Sequence, residues 1–462
     1  RTDLLKTLTA AKQPVQGAKH YAHLLEQALS PSRLALLKLI AGFSGSDHQP
    51  IYIVGGFVRD LLLERPSPDF DIVVEGDAIQ LCRALAQKYG GRVVTHKRFG
   101  TSKWQISTPT TSLAAALQLE EKALSDLPES LDFISSRTEF YDRPTALPTV
   151  ERSGIKLDLH RRDFTINTLA LRLDGNHYGE LYDYWGGLAD LEKKQVRVLH
   201  SLSFVDDPTR LLRAVRFEQR FAFHIEKRTL QLMSEARELL HQLSGERIRH
   251  EFDLVFSEAA PGLIMQRLQQ LDLLTAIHPA LNWSVTQGTA LEKVLRTDAL
   301  GQWGISDHTG STPTRILLAY LVWWSKFDSR VITELGHRLR LPNVQVKAIQ
   351  TAARLLQQEQ LVKDLPPSQF YDLLTDMPVY SLFAVHVLAE DDHFKQKIQD
   401  SVMHWSKIVP HTSGHTLREL GVPPGPVYAQ ILAQIRAALL DGEIKTESEE
   451  KELLKRLLAT LG

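Results

Sequence analysis

Two aspartates, Asp69 and Asp71, stand at i and i+2 in the string Asp69-Phe70-Asp71-Ile72-Val73-Val74. Side chains two apart on a strand share a face, so both carboxylates can reach one point in space. The apolar residues around them set that strand against a core, where paired carboxylates repel strongly unless a cation lies between them. Hard oxygen ligands of this kind suit Mg²⁺, which takes one or two carboxylates together with substrate phosphates. Upstream, Ile51-Tyr52-Ile53-Val54-Gly55-Gly56-Phe57-Val58-Arg59-Asp60 reads as a strand, a double-glycine turn and the opening of a helix. Gly55 and Gly56 offer backbone N–H groups with no side chains in the way, beside a helix N-terminus where phosphate binds well. A phosphate cradle next to a metal-holding carboxylate pair points to phosphoryl or nucleotidyl transfer. Taken singly, the turn is an ordinary tight turn and the Asp-x-Asp a surface feature; their order and proximity make the argument.

Two further strings carry charge in a pattern. Arg161-Arg162-Asp163-Phe164-Thr165-Ile166-Asn167 begins with a pair of arginines, ordinarily a surface cluster. A guanidinium's planar fork also suits triphosphate oxygens. In Asp206-Asp207-Pro208-Thr209-Arg210, Asp207 is a good N-cap with proline at the first helical position. The helix that follows places Arg210, Arg213, Arg216 and Arg220 along one face, with Leu211, Leu212, Val215 and Phe217 beside it. Such a stripe is unremarkable in solvent, and would equally serve as a wall of donors facing a triphosphate and a base. Asp132, in the apolar run Leu131–Ile134, is the candidate third carboxylate; a strand-edge or turn aspartate is the plain alternative.

The order strand, Gly-Gly-x-Val-Arg-Asp, strand, Asp-x-Asp resembles the signature of the polymerase-β-type nucleotidyltransferases, in the branch that holds bacterial tRNA nucleotidyltransferases and poly(A) polymerases. RRDFTIN is similar to a second hallmark of that branch, and DDPTRLLRAVRF resembles its neck motif. The resemblance implies an α+β head, a mixed sheet with flanking helices, followed by an all-α neck, body and tail. It implies a template-independent enzyme that adds AMP, or CCA, from ATP (and CTP) to the 3′ end of tRNA and releases pyrophosphate. Carried over by position, Asp69 and Asp71 hold two Mg²⁺ ions, and Gly55, Gly56 and Arg59 position phosphates. Arg161, Arg162, Asp163 and Asn167 serve the ribose and phosphates. Asp207 and Arg210 read the Watson–Crick edge of the incoming base, with Arg213 and Arg216 nearer the phosphates. Asp206 stands where many members have glutamate.

Other strings fit the same resemblance. Asp183-Tyr184-Trp185-Gly186-Gly187 with Asp190, and Ser244–Ile248, are similar to structural turns of the family, and Gly421–Pro426 to a turn in its tails. Phe140–Leu159, with Pro144, Pro148 and Gly154, reads as an extended loop. In the family a loop here is typical of enzymes that add the terminal adenosine. Arg1–Leu5 is similar to the close of a CBS domain, as in long relatives whose DHH-type and CBS domains precede the head, so a fragment of such a protein is expected. The chain has no His-Asp dipeptide, which argues against the hydrolytic HD-type metal site of some relatives. A poly(A) polymerase shares the head, and a non-catalytic RNA-binding module is the alternative of another class. A small-molecule nucleotidyltransferase fits poorly with RRDFTIN and the long helical tail.

The elements that must position these residues divide the 462-residue chain into more than one domain. Residues 1–47 read as an N-terminal helical segment, broken at Ser30-Pro31-Ser32. Residues 48–200 form the head, with strands expected at Ile51–Val54, Asp71–Val74, Gly91–Val94, Trp104–Ile106 and Leu131–Ile134 and a helix over Ala78–Tyr89. Residues 201–260 form the helical neck, and 261–462 a helical body and tail that grips tRNA. Trp283, Trp303, Trp323, Trp324 and Trp405 read as core. With 43% apolar and 24% charged residues the composition is that of a globular protein, and no apolar run is long enough for a transmembrane helix. The single cysteine, Cys82, excludes an internal disulfide and fits a reducing cytoplasm. A net charge of −1 requires that any positive charge meeting RNA be local.

Overall fold

A computed structural model describes residues 20–45, 49–65, 70–106, 110–140 and 149–461. Asp69 and the segment compared with a CBS domain lie outside the described residues. The chain divides into two compact units, Arg1–Gln242 and Leu243–Gly462.

The first unit is built on strands β1 (Ile51–Val54), β2 (Ile72–Val74), β3 (Arg92–His96), β4 (Thr101–Gln105), β5 (Ser130–Ser135), β6 (Arg137–Phe140), β7 (Thr149–Arg152), β8 (Ala170–Arg172) and β9 (Glu180–Tyr182). Seven form one mixed sheet in the order β3-β4-β5-β2-β1-β8-β9, in which only β2 and β5 run parallel. β6 and β7 pair separately as a hairpin. β1 is apolar throughout and buried on both faces, as a central strand must be. β5 alternates instead: Leu131 and Phe133 are buried while Asp132 and Ile134 lie half-exposed on the other face. On that second face Tyr52, Val54, Val73 and Ala170 pack against Ile155 and Leu159 of the helix Ile155–His160, with Ile134 beside them.

The helix Ala78–Tyr89 starts where the Asp77 carboxylate accepts the Gln80 N–H and stops at Gly90, whose φ of +80° suits glycine. It buries Leu81, Cys82 and Leu85, and burial pushes the Cys82 thiol pKa up. Pro31 opens the helix Pro31–Gly45 after Leu29 turns extended, which is the expected break. The stretch Phe140–Leu159 differs from the expected continuous loop. Thr149–Arg152 pairs with β6, and Ile155–His160 is helical because Ile155 and Leu159, four apart, share the sheet's core. Residues 141–148 lie outside the described residues. The three-residue strands β8 and β9 are additions that no periodicity announced.

The second unit is helical, apart from one two-residue hairpin among the described residues. Tyr320, Trp323 and Trp324 on the helix Thr314–Trp324 are fully buried with Phe252 and Phe256 of Gly245–Ser257, in edge and stacked contacts. Trp283 and Trp303 are buried as expected, whereas Trp405 is half-buried against Phe370. Leu417, Ile431, Ile435 and Leu454 form a smaller core near the C-terminal end. Among the described residues no helix is long and apolar enough to cross a membrane.

Candidate active site

β1 and β2 set the first half of the site. Ile53 pairs with Ile72, so continuing the antiparallel register puts Asp71 opposite Val54, next to the glycine turn. Asp71 therefore projects on the face of Val73, toward the helix Ile155–His160. β5 runs parallel to β2 with Phe133 beside Ile72, so Asp132, one residue earlier, neighbours Asp71 on the same face. Both line an open cavity of about 500 Å³ with Phe70, Lys103 and Arg33. Lys103 lies 3.1 Å from the Asp132 carboxylate. Asp71 and Asp132 supply hard oxygen donors that fit Mg²⁺. Among the described residues no group of three His, Cys, Asp or Glu side chains is gathered tightly enough to hold a metal ion.

Gly55 carries the turn with φ +71° and ψ −125°, a conformation that excludes a side chain. Its N–H donates to the Leu169 carbonyl at 2.9 Å. A methyl group there would lie 2.6 Å from Arg162 Nη1, so the guanidinium rests directly on the bare Cα. Arg162 Nη2 donates to Asp158 Oδ2 at 3.1 Å, and Arg161 donates to Asp158 Oδ1 through Nε and Nη2 at 3.1 and 2.8 Å. Asp158 also accepts the Arg137 N–H and is fully buried. Burial works to raise its pKa, but the Arg162 and Arg161 guanidiniums outweigh it and hold the carboxyl below the usual range. Sequence reading missed Asp158. Its signal was present, an acid three and four residues before two arginines in a helical register. Arg162 Nε is buried without a hydrogen bond among the described residues.

Asp163 joins this half to the helix Thr209–Phe221. Its Oδ2 accepts from Arg213 Nε and Nη2 at 2.9 and 2.5 Å, and its Oδ1 from Asn167 Nδ2 at 2.8 Å. Burial would raise the Asp163 pKa, yet Arg213 and Asn167 pull it down to about 2. Asn167 in turn accepts from Arg59 Nη1 at 2.6 Å. Phe164 packs edge-on against Phe217 at 5.8 Å.

Arg59 corrects the sequence expectation. It was expected to position phosphates, but it is 4% exposed, paired with Asp60 at 2.8 and 2.9 Å, and lies over the Phe221 ring at 4.5 Å. Three of its five N–H donors and one face of its guanidinium are engaged inside the protein, so it ties the glycine-turn helix to Thr209–Phe221. Asn167, also buried, is the second link of that tie. Arg216 likewise is buried and lies over Phe217 at 5.0 Å. The arginine stripe is thus graded: Arg210 and Arg216 buried, Arg213 half-buried, Arg220 exposed.

The helix begins at Thr209 with Pro208 at its cap position, one residue later than expected, and the Asp207 Oδ1 accepts from the Thr209 N–H at 3.0 Å and its hydroxyl at 2.7 Å. Arg210 is held by Ser203 Oγ at 2.8 Å and the Arg161 carbonyl at 2.7 Å. Beside it His160 stacks on His200 at 5.3 Å and leans on Trp185 at 4.6 Å. Burial first, then His200, lowers the His160 pKa to about 4; burial and Arg210 lower that of His200. The motif residues read as structural behave so. Asp183 accepts the Gly187 and Leu188 N–H groups, and buried Asp190 accepts from Thr165 and Arg197. Ser244 caps Gly245–Ser257, and Pro426 opens Pro426–Leu440 after Gly425.

Comparison with known proteins gives a consistent picture. Residues 51–197 match the Poly A polymerase head domain, and residues 222–284 the probable RNA and SrmB-binding site of polymerase A. An A-adding tRNA nucleotidyltransferase of Geobacter sulfurreducens is 33% identical over 99% of this chain, which spans 52% of that protein's length. One of Halalkalibacterium halodurans is 31% identical over 92% of this chain and 93% of its own. A CCA-adding enzyme in an apo form superposes with a TM-score of 0.77 at 30% identity, covering 96% of this chain and 99% of that one. A Thermotoga maritima CCA-adding enzyme complexed with tRNA gives 0.72 at 28% identity, covering 96% and 99%.

Proposed function

The chain belongs to the tRNA nucleotidyltransferase family, and on that premise we propose that it transfers AMP, or the full CCA, from nucleoside triphosphates to the 3′ end of tRNA without a nucleic-acid template. What carries the reading is one continuous network. Arg162 rests on Gly55, shares Asp158 with Arg161, and Arg161 and Asp163 reach Arg210 and Arg213 of the helix Thr209–Phe221. A triphosphate laid on the turn meets the Gly56 N–H and the Arg161–Arg162 pair, the Gly55 N–H being held by the Leu169 carbonyl, while the base points toward Asp207 and Arg210. Three of the Arg210 contacts fall on Ser203 and the Arg161 carbonyl; a guanidinium has five N–H donors, so donors remain for a base edge. A carboxylate that accepts from an exocyclic amine and a guanidinium that donates to ring acceptors together favour one base over another.

Asp71 with Asp69, and Asp132 as third carboxylate, would hold divalent cations, two Mg²⁺ in this reading. When bound, these supply activation of the RNA 3′-hydroxyl and neutralisation of the leaving pyrophosphate. The names of the relatives favour terminal adenosine addition. The head shared with poly(A) polymerases makes unlimited extension the second reading. A cytoplasmic setting goes with tRNA processing and with the lone buried Cys82.

The direct test is Asp71→Ala. Incorporation of labelled AMP into tRNA ending in CC should fall at least about 10³-fold, the scale on which a lost electrostatic contributor is felt. tRNA affinity measured by filter binding should change less than about twofold. Retained incorporation in this variant would overturn the assignment.

A further inference from the structure

The row of side chains that carries Asp71 does not end at Asp132. β4 pairs antiparallel with β5 so that Lys103 stands directly opposite Asp132, while β5 sets Asp132 beside Asp71. Three adjacent strands thus place a lysine and two aspartates in line on one face, about 4.8 Å from strand to strand. Lys103 Nζ lies 3.1 Å from Asp132 Oδ2, and both side chains are close to half-exposed. The register is fixed from behind. Ser102 and Trp104 are buried on the opposite face, and Trp104 Nε1 donates to the Gly90 carbonyl at 2.8 Å. A slip of one residue would turn Lys103 into the core and Trp104 into the cavity.

Three acids, Asp71, Glu129 and Asp132, and two cations, Arg33 and Lys103, line the cavity of about 500 Å³. Arg33 is turned to the chain at its edge, its Nε donating to the Asp126 carbonyl at 3.0 Å. Lys103 is the cation that meets a carboxylate of the row. As a stabilising contact the pair counts for little, since a half-exposed ion pair in an open cavity is screened by water. As a charge it counts for more. Two carboxylates on neighbouring strands repel each other, and an ammonium beside one of them relieves that repulsion without a metal ion. An ammonium on a flexible four-carbon stem is also a point charge that can swing away, unlike the planar fork of an arginine.

From this arrangement we propose that Lys103 is the resident counter-ion of the cation site: it neutralises Asp132 until a divalent cation competes for that carboxylate. The competition keeps a free cation weakly bound. A cation arriving with a nucleoside triphosphate brings phosphate oxygens as further ligands, and these offset the lysine. The site is thereby set to fill together with its nucleotide rather than ahead of it. The inference rests on the reading of Asp71 and Asp132 as cation ligands in the proposed transfer, and its test separates the two.

Mn²⁺, which accepts the same oxygen ligands, is titrated into the parent, Lys103→Met and Lys103→Arg proteins without nucleotide at about 10 mM salt, and the free ion is followed by its EPR signal. Even at the dielectric constant of water, a unit charge about 6 Å from a divalent ion alters its binding about tenfold. Mn²⁺ should therefore bind Lys103→Met roughly tenfold more tightly than the parent. Methionine keeps an unbranched stem, so the strand pairing is left in place. Lys103→Arg keeps the charge and should bind Mn²⁺ no more tightly than the parent. Equal affinities in the parent and Lys103→Met overturn the counter-ion whether or not the protein transfers nucleotides. An arginine variant as tight as the methionine one overturns it too, because charge would not be the cause. Binding of Mn²⁺ to none of the three overturns both the counter-ion and the carboxylates as cation ligands. A tenfold gain in a protein that incorporates no nucleotide keeps the counter-ion and overturns the proposed function instead.

Discussion

Asp158 shows how one buried carboxylate can govern a site without touching a substrate. It accepts from Arg161, Arg162 and the Arg137 backbone, so its charge balances the two guanidiniums set at the glycine turn. Removing its charge while keeping its shape should loosen both arginines. In Asp158→Asn the KM for ATP is expected to rise roughly tenfold, about 1.4 kcal/mol of lost binding, with a smaller change in kcat. An unchanged KM in a folded variant would show that the arginines do not hold the nucleotide. Truncation to alanine is a different experiment: it removes the buried partner of two half-buried cations and should cost about 3 kcal/mol of stability. At this scale the sequence was a partial guide. Residue types and spacing named Gly55, Arg162, Asp163, Arg210 and Arg213, which do meet. They could not tell that Arg59 and Asn167 are turned inward, because a polar residue in a motif reads the same whether it faces a ligand or a neighbour.

At the scale of elements, the short helix Ile155–His160 and the helix Thr209–Phe221 frame the Arg210 end of the site. His160 and His200 stack between them beside Arg210. A histidine held near a pKa of about 4 stays neutral in the fold while the unfolded chain, with its ordinary value of 6.5, takes up a proton. Its contribution is therefore complete above pH 6.5 and declines as pH falls toward 4. Asp163 acts in another window. Its depressed carboxyl stabilises the fold above its ordinary 3.8, and that contribution disappears only as pH falls toward 2. Between pH 7 and 5 the local slope belongs to the histidines. His160→Phe keeps a stacking ring and removes the titration, so its urea midpoint should fall less than the parent's between those pH values. Equal falls would show that His160 titrates normally. The short apolar run of β1, the alternation of β5 and the amphipathic helices were legible from the sequence pattern. The β6–β7 hairpin was not, since its strands are short and a turn-rich stretch hides them. β8 and β9 escaped for the same reason.

On the scale of the whole molecule, a nearly neutral chain sets its positive charge in differing surroundings. The arginines of the site are consumed in building it, whereas Lys103 stands half-exposed against Asp132. Sequence composition gave the requirement that positive charge be local but could not pair it, because only the fold brings Arg213 to Asp163 and Lys103 to Asp132. The chain spans about half the length of one relative and nearly all of another. What it does is read most directly from product ends. The protein is incubated with Mg²⁺ and tRNA ending before the first C, after CC, and after CCA, with ATP or CTP, and each product is sized to one nucleotide. The account predicts that ATP adds a single adenosine to the CC end with release of pyrophosphate, and that the CCA end is left alone. Extension of none of the three would contradict it, as would indiscriminate long tails on all of them.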